Sequence, residues 1–239
     1  MKQPEGIIQR EGTAGWIWHA DRQKSEDIEA QEEVHLTDRY GEIYGSVTLL
    51  DGVKRAFIED GCLDQLHVFD GLQVLECPRN QLEELDPPKG LIKLDCSLNR
   101  IKNLQVPKSV LDLDCSRNRL YELVLPADVH SVLCYDNLIS ELHVPDKVES
   151  LQCYDNLLTS LKVPGTVKHV SCQRNKLRSL IFEEGVESAF CQENELQMIN
   201  LPMSMKSIVC DEGVELTGNP DTKVFHDTYK YYESIGIRI

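Results

Sequence analysis

The chain repeats one 19-residue pattern along most of its length, with the spacing that separates Cys96 from Cys115. The repeat is plainest over residues 91–166, which read LIKLDCSLNRIKNLQVPKS, VLDLDCSRNRLYELVLPAD, VHSVLCYDNLISELHVPDK and VESLQCYDNLLTSLKVPGT in succession. Eight of the nine cysteines share one slot of the repeat: Cys77, Cys96, Cys115, Cys134, Cys153, Cys172, Cys191 and Cys210. An asparagine follows three residues after each of them except the last, where Gly213 takes its place. A period this short is typical of a solenoid, in which each repeat forms one coil and buries its apolar face against its neighbours.

The repeat begins one unit before the first of these cysteines. Val53, Ala56, Ile58 and Leu63 fit the same apolar frame, with Ile58 in the cysteine slot. We therefore predict nine such repeats over residues 53–223.

Each unit reads L-x-x-L-x-C-x-x-N-x-L-x-x-L-x-V-P-x-x, and its first part predicts a short strand with alternating apolar positions. Stacked units would pair these strands into one parallel sheet, with the Leu, Cys and Val positions forming ladders along a continuous core. Cysteine acts there as a small hydrophobic residue. We expect the Asn side chain to bond buried backbone groups of adjacent coils. Because proline drives the preceding residue to extended geometry, the V-P part predicts an extended or polyproline-like convex side without helices.

This unit resembles the leucine-rich repeat in its shortest bacterial form. The proline near the end of most units makes it similar to the YopM and IpaH class of bacterial effector repeats: Pro88, Pro107, Pro126, Pro145, Pro164 and Pro202. The cysteine departs from the Leu or Val usual in that strand. The resemblance implies an α/β solenoid, a right-handed coil with a parallel concave sheet. IpaH-type effectors also carry a ubiquitin-ligase domain after their repeats, and we expect that activity to be absent because only residues 224–239 follow the last repeat.

Segments outside the repeats predict a cap at each end. For residues 1–52 we predict a β-containing cap, in which Trp16 and Trp18 lie on a half-buried strand and residues 25–34 form a short helix or a charged loop. Asp51-Gly52 is a hairpin signal, so we predict that the strand over residues 41–50 pairs antiparallel with residues 53–58. For residues 219–239 we predict a helical cap. Its helix would begin at Asn219 and Pro220 and end at Gly236, with Val224, Phe225, Thr228, Tyr229, Tyr232 and Ile235 on one face.

Composition narrows the classes of function. The chain carries 25 basic and 40 acidic residues, a formal net charge of −15, which disfavours nucleic acid and anionic membranes as partners and favours a basic protein partner.

The cysteine ladder predicts free thiols and therefore a reducing compartment, the cytoplasm of the producing cell or of a host. Cys62 alone lies outside the ladder. Because no metal-binding or catalytic motif is present, we expect a protein without cofactor, metal or enzymatic activity.

Candidate binding residues lie on the outward positions of the predicted concave sheet. Glu76, Asp95 and Asp114 form an acidic column, with Arg117 and Arg119 placed to shield it. Leu133, Tyr135 and Tyr154 form an apolar and aromatic centre. Arg79, Arg117 and Arg174 form an interrupted basic rim. The candidate partner-binding residues are Glu76, Asp95, Asp114, Arg117, Leu133, Tyr135, Tyr154, Arg174 and Phe190. Tyrosine is enriched among residues that dominate protein interfaces.

The sequence thus predicts a non-enzymatic module that binds a protein partner on its concave face. Two alternatives remain open at this point: a structural or accessory component of a phage or other assembly, and a translocated bacterial effector that acts as a scaffold in a host cytosol.

Overall fold

The computed structural model describes residues 13–19, 24–29, 32–37, 45–49 and 52–237. Its regular structure consists mainly of short strands, which recur with the repeat. The strands are β1 Thr13–His19, β2 Lys24–Glu29, β3 Glu33–Thr37, β4 Gly45–Leu49, β5 Arg55–Glu59, β6 Leu63–His67, β7 Val74–Glu76, β8 Lys93–Asp95, β9 Asp112–Asp114, β10 Ser131–Leu133, β11 Ser150–Gln152, β12 Ser160–Val163, β13 His169–Ser171, β14 Ser179–Phe182, β15 Ser188–Phe190, β16 Met198–Leu201, β17 Ser207–Val209, β18 Glu215–Gly218 and β19 Lys223–Phe225. One helix, α1 Thr228–Ser234, follows in the described part of the chain.

A long parallel sheet forms the concave face. Its strand order is β3-β5-β7-β8-β9-β10-β11-β13-β15-β17-β19, so each coil adds one strand next to that of the coil before. From β5 to β17 each residue pairs with the residue one full repeat away, as Leu94 with Leu113 and Leu113 with Val132 show. The solenoid predicted from the repeat is confirmed.

The core is a set of ladders beneath this sheet. In the strands of this sheet from β7 to β17 the middle residue points inward and is buried, and the cysteine that follows each strand, from Cys77 to Cys210, is fully buried. All nine cysteines are free thiols, and Cys62 is half-buried outside the ladder. The cysteines therefore fill space in an apolar core, as predicted.

The asparagines lock each coil to the one before it. The Asn137 side chain accepts a hydrogen bond from the backbone N–H of Leu120 at 2.9 Å and donates to the backbone carbonyl of Cys115 at 3.0 Å. It also donates to the carbonyl of Cys134 in its own coil at 3.2 Å. The same pattern recurs from Asn80 to Asn194. The expected asparagine ladder is therefore confirmed.

The residue before each ladder asparagine adopts a left-handed backbone, which favours glycine, yet none of these residues is glycine. Asp60 holds the same place in the first repeat and shares this conformation. The φ values lie between 52° and 58° at all eight residues: Asp60, Arg79, Leu98, Arg117, Asp136, Asp155, Arg174 and Glu193. Their backbone N–H groups continue the coil-to-coil hydrogen bonding beyond the strands, as from Arg117 to the carbonyl of Tyr135 at 2.8 Å. The pairing with the next coil holds the chain in this costly conformation.

In the described residues, the side opposite the concave sheet is extended and carries no helix, as predicted. Short parallel strands pair there between some coils, β4 with β6, β12 with β14 and β16 with β18. A single bridge joins Leu85 to Leu104.

The N-terminal segment joins the solenoid differently from the prediction. The antiparallel hairpin between residues 41–50 and 53–58 is wrong, because β5 pairs in parallel with β3 and β7. β4 pairs in parallel with β6 and antiparallel with β1. Asp51 itself lies outside the described residues. β3 and β4 thus form a further coil, and coil stacking outweighs the local turn signal.

Of the other two N-terminal predictions, one is confirmed and one is wrong. The strand predicted around Trp16 and Trp18 is confirmed as β1, although their side chains lie outside the described residues. The helix or loop over residues 25–34 is wrong, because β2 forms an antiparallel pair with β1.

The C-terminal helix is shorter than predicted. Val224 and Phe225 belong to β19, which adds a last parallel strand beside β17. Asn219 is a buried turn residue whose side chain donates to the carbonyls of Met203 and Met205. Asp227 caps α1 instead, accepting the N–H of Tyr229 at 2.8 Å. The predicted stop is confirmed, since α1 ends at Ser234 and Gly236 follows with a φ of 81°.

Candidate functional site

Four side chains from four successive coils form one stack at the centre of the concave face. The rings of Tyr135 and Tyr154 lie 4.5 Å apart between centroids and are inclined by 7°. The guanidinium of Arg117 lies 5.9 Å from the Tyr135 centroid, and that of Arg174 lies 5.6 Å from the Tyr154 centroid. We call these four residues the Arg–Tyr stack. The sequence predicted all four as site residues, and the structure brings them together.

The repeat itself builds this stack. Tyr135 and Tyr154 directly follow ladder cysteines of adjacent coils, so in-register strands place their rings face to face at about the 4.8 Å strand spacing. Aromatic and cation–π contacts of this kind each contribute roughly 0.5–1.5 kcal/mol. Both rings remain half-buried, so they offer a rigid aromatic edge to solvent.

An ion pair fixes the Arg174 end of the stack, whereas the Arg117 end has no ion pair in the described residues. Asp155 accepts two hydrogen bonds from Arg174, at 2.5 Å to Nε and 2.7 Å to Nη2, and the hydrogen bond to Asp155 raises the pKa of Arg174. Among the described residues no carboxylate lies within ion-pair distance of Arg117. Burial, followed by the neighbouring Tyr135, raises the pKa of Tyr154, so its phenol stays protonated at neutral pH and can donate a hydrogen bond.

The acidic column lies next to the stack. Glu76, Asp95 and Asp114 are in register on β7, β8 and β9, and Asp114 is also in register with Leu133 on β10. Lys93 neutralises Glu76 through an ion pair of 2.7 Å.

The two aspartates of this column interact with serines. Asp95 accepts the N–H and hydroxyl of Ser97 at 2.9 and 2.7 Å, and Asp114 accepts those of Ser116 at 3.0 and 2.6 Å. Burial raises the pKa of Asp114, and the negative charge of Asp95 raises it further. Two like charges therefore face each other on adjacent strands, and no cation of the described chain is within ion-pair distance of them.

The predicted arginine shield for this column is wrong. Arg117 stacks on Tyr135 instead. Arg119 acts on Glu83, whose pKa is lowered first by a hydrogen bond from Lys102 and then by nearby positive charges that include Arg119. Sequence reasoning missed Lys93, although the alternation along β8 places it on the same outward face as Asp95.

The basic rim predicted from Arg79, Arg117 and Arg174 is also mostly neutralised. Arg79 pairs with Asp60 and, at 2.8 Å, with Glu59. With Arg174 paired to Asp155, Arg117 is the member of this rim that keeps an exposed positive charge without a carboxylate partner in the described residues.

The last predicted site residue, Phe190, lies elsewhere on the concave face and is covered. Its ring contacts Tyr231 edge-on at 4.8 Å and Tyr232 at 6.0 Å between centroids. Both tyrosines belong to α1, which folds back over the concave sheet. The helix that was predicted to close the end of the core therefore occupies part of the predicted binding face.

Within the described ranges, no group of three or more His, Cys, Asp or Glu side chains could hold a metal ion. None of the described helical segments has the length and hydropathy needed to cross a membrane.

Solved structures share this architecture. YopM from Yersinia enterocolitica WA-314 matches with a TM-score of 0.66 and 24% identity, over 72% of this chain and 41% of that one. The fold is a leucine-rich-repeat solenoid. The functional domain of InlJ from Listeria monocytogenes, described as including a cysteine ladder, matches with a TM-score of 0.53 and 23% identity, over 66% of this chain and 38% of that one. The match thus spans less than half of either solved chain.

The likeness extends to the filling of the core. The buried cysteines of this leucine-rich-repeat solenoid form a ladder, as the description of InlJ states for that protein. No protein-family model matches the sequence, and no curated protein matches it.

Proposed function

We propose that this protein is a non-enzymatic interaction module whose concave face binds a basic segment of another protein. The observation that carries the proposal is the Arg–Tyr stack beside two aspartates that form no ion pair with a cation of the described residues. Tyr135 and Tyr154 form a preorganised aromatic surface, so a partner would lose little side-chain entropy of the site on binding.

The charges of the face specify the chemistry of the partner. Burial raises the pKa of Asp114 and the charge of Asp95 raises it further, and a lysine or arginine placed between the two aspartates would relieve that repulsion. Because Asp114 is in register with Leu133, an apolar or aromatic side chain close to that cation would reach Leu133 and Tyr135. We therefore propose a partner segment in which a basic residue stands close to an apolar one.

Peptide display tests this proposal with a defined probe. Short random peptides would be selected against the full chain, and their affinities measured by fluorescence anisotropy. We expect selected peptides to combine Lys or Arg with an apolar residue. The double variant Y135A/Y154A should weaken binding at least tenfold, about 1.4 kcal/mol. Tyr121→Ala is the matched control, because Tyr121 is 55% exposed and lies outside the concave sheet.

The acidic column is tested with the same peptides. D95N/D114N should weaken binding and flatten its dependence on salt, since removing the charges removes the screened attraction. The variant E122Q/E141Q removes two exposed charges outside the concave sheet and should change little. If the selected peptides bind Y135A/Y154A and D95N/D114N as tightly as the unaltered chain, the concave site is refuted.

We also propose that the protein works in a reducing compartment. Burial raises the pKa of the ladder thiols, which keeps them protonated and unreactive. Protein taken from acid-quenched cells and alkylated under denaturing conditions should show nine free thiols by mass spectrometry. Disulfide-linked ladder cysteines would contradict this proposal.

A further inference from the structure

The helix α1 rests on the concave face with few contacts of its own. It is seven residues long, and none of its residues is buried. Isolated helices of this length are marginal in water, so its order depends on what it packs against. Its contacts with the sheet are the rings of Tyr231 and Tyr232 and one hydrogen bond, from Gln192 Nε2 to Thr228 Oγ1 at 3.0 Å.

Beneath α1 the sheet carries an apolar strip. Phe190, Val209 and Phe225 are in register on β15, β17 and β19. Tyr231 contacts the rings of both Phe190 and Phe225, at 4.8 and 5.4 Å, and so spans Val209, which is fully buried. The corresponding outward residues of β7 to β13 are half-buried or exposed. The helix therefore covers a continuous apolar part of this face.

The strip is continuous with the Arg–Tyr stack. Tyr154, Gln173 and Gln192 occupy the same position in three successive coils, directly after the ladder cysteine. The side-chain oxygens of Gln173 and Gln192 are buried, and no donor in the described chain hydrogen-bonds to them. A ligand N–H that reached either oxygen would supply the missing hydrogen bond.

We propose that α1 is an intramolecular competitor for the concave site. The binding surface would run from Tyr135 and Tyr154 across Gln173 and Gln192 to Phe190, and the partner displaces α1 to reach its far end. The occupant of the strip is thus α1 in the free protein and the apolar part of the partner segment in the complex. This inference rests on the proposed function, because it concerns the same partner.

Competition has a measurable consequence. If α1 is docked about three to ten times as often as it is free, the affinity for a ligand that needs the strip falls by about the same factor. The full-length variant Y231A/Y232A removes the docking rings and should bind the display-selected peptides three- to tenfold more tightly. Tyr229→Ala is the matched control, because Tyr229 lies on α1, is 57% exposed and takes no part in the ring contacts to Phe190.

Hydrogen exchange tests the docking of α1 in the free protein, without a partner. The amides of Tyr231 in α1 and of Ile235, which caps the helix and donates to the carbonyl of Tyr232, should exchange at least a hundredfold faster than those of β15 while the sheet stays closed. Equal protection of α1 and β15 would overturn the inference, whatever the peptides do.

The two proposals fail in different ways. If Y135A/Y154A abolishes peptide binding but Y231A/Y232A leaves the affinity unchanged or weaker, the competition is refuted and the concave site stands. If Y135A/Y154A has no effect on binding, the proposed function fails, and the competition with it.

Discussion

The eight ladder thiols should make this protein unusually sensitive to alkaline pH. All eight are buried side by side, and burial raises the pKa of every one, to about 12 at Cys153 and about 11 at Cys210. In the unfolded chain a thiol ionises near pH 8.5. Above that pH the unfolded state loses protons that the folded state keeps, so the free energy of unfolding falls as pH rises. The contribution is complete below about pH 8.5 and is lost towards the folded pKa values.

The magnitude follows from linkage. Relative to pH 7, each buried thiol costs about 1.4 kcal/mol of stability at pH 9.5, and the eight together about 11 kcal/mol. That is comparable with the whole stability of a typical domain, roughly 5–15 kcal/mol. We therefore expect the protein to unfold near pH 9.5 in a reducing buffer.

Urea titrations followed by circular dichroism between pH 7 and 9.5 would measure this loss. Tyrosine and lysine also titrate in this range, so the matched variant C115A/C134A is the decisive comparison. It removes two titrating groups and should reduce the loss of stability between pH 7 and 9.5 by about 2.8 kcal/mol. An identical slope in the variant and the unaltered chain would refute the account of the ladder as ionisable groups held neutral by burial.

Three further substitutions test individual residues of the coils and of the site. Asn137→Ala leaves one buried N–H and one buried carbonyl of the preceding coil without this partner, and should cost about 3 kcal/mol by urea unfolding, whereas exposed Asn103→Ala should stay within about 0.5 kcal/mol. Leu98→Asn should raise the free energy of unfolding by about 0.5–1 kcal/mol, because asparagine tolerates the φ of 55° that strains leucine; a loss in the same assay would contradict the strain. Asp114→Asn should raise the melting temperature at pH 7 while weakening peptide binding, since it removes a charge that the fold disfavours. A variant that is less stable at pH 7 would refute that reading of Asp114.

The sequence was sufficient for the coils because every coil repeats the same pattern. The constant repeat length determines the strand register, and the register alone places Tyr135 on Tyr154. The sequence alone therefore predicts the stack as an aromatic centre.

The ends could not be predicted in this way because their spacing changes. β3 is in register with β5 at a separation wider than the repeat, as Val34 with Ala56 shows, so a search at the repeat length does not find it. At the other end β19 is in register with β17 at a separation narrower than the repeat, as Val224 with Ile208 shows. The local Asp51-Gly52 and Asn219-Pro220 signals then suggested a hairpin and a helix start, and stacking of coils overrode both.

The ion pairs within the site also could not be predicted from the repeat pattern. Alternation placed Glu76, Asp95 and Asp114 in one column, but which cations reach a column depends on side-chain directions across three strands. Lys93 reaches Glu76, whereas Arg117 turns to the face of Tyr135. The same limit applies to α1, whose return over Phe190 depends on contacts between residues that are far apart in the sequence.

Hydroxyl-radical footprinting with a display-selected peptide tests the central claim most directly. The concave site predicts that oxidation of Tyr135 and Tyr154 falls when the peptide binds, while oxidation of exposed Tyr121 stays the same. Unchanged oxidation of Tyr135 and Tyr154 at saturating peptide would contradict it.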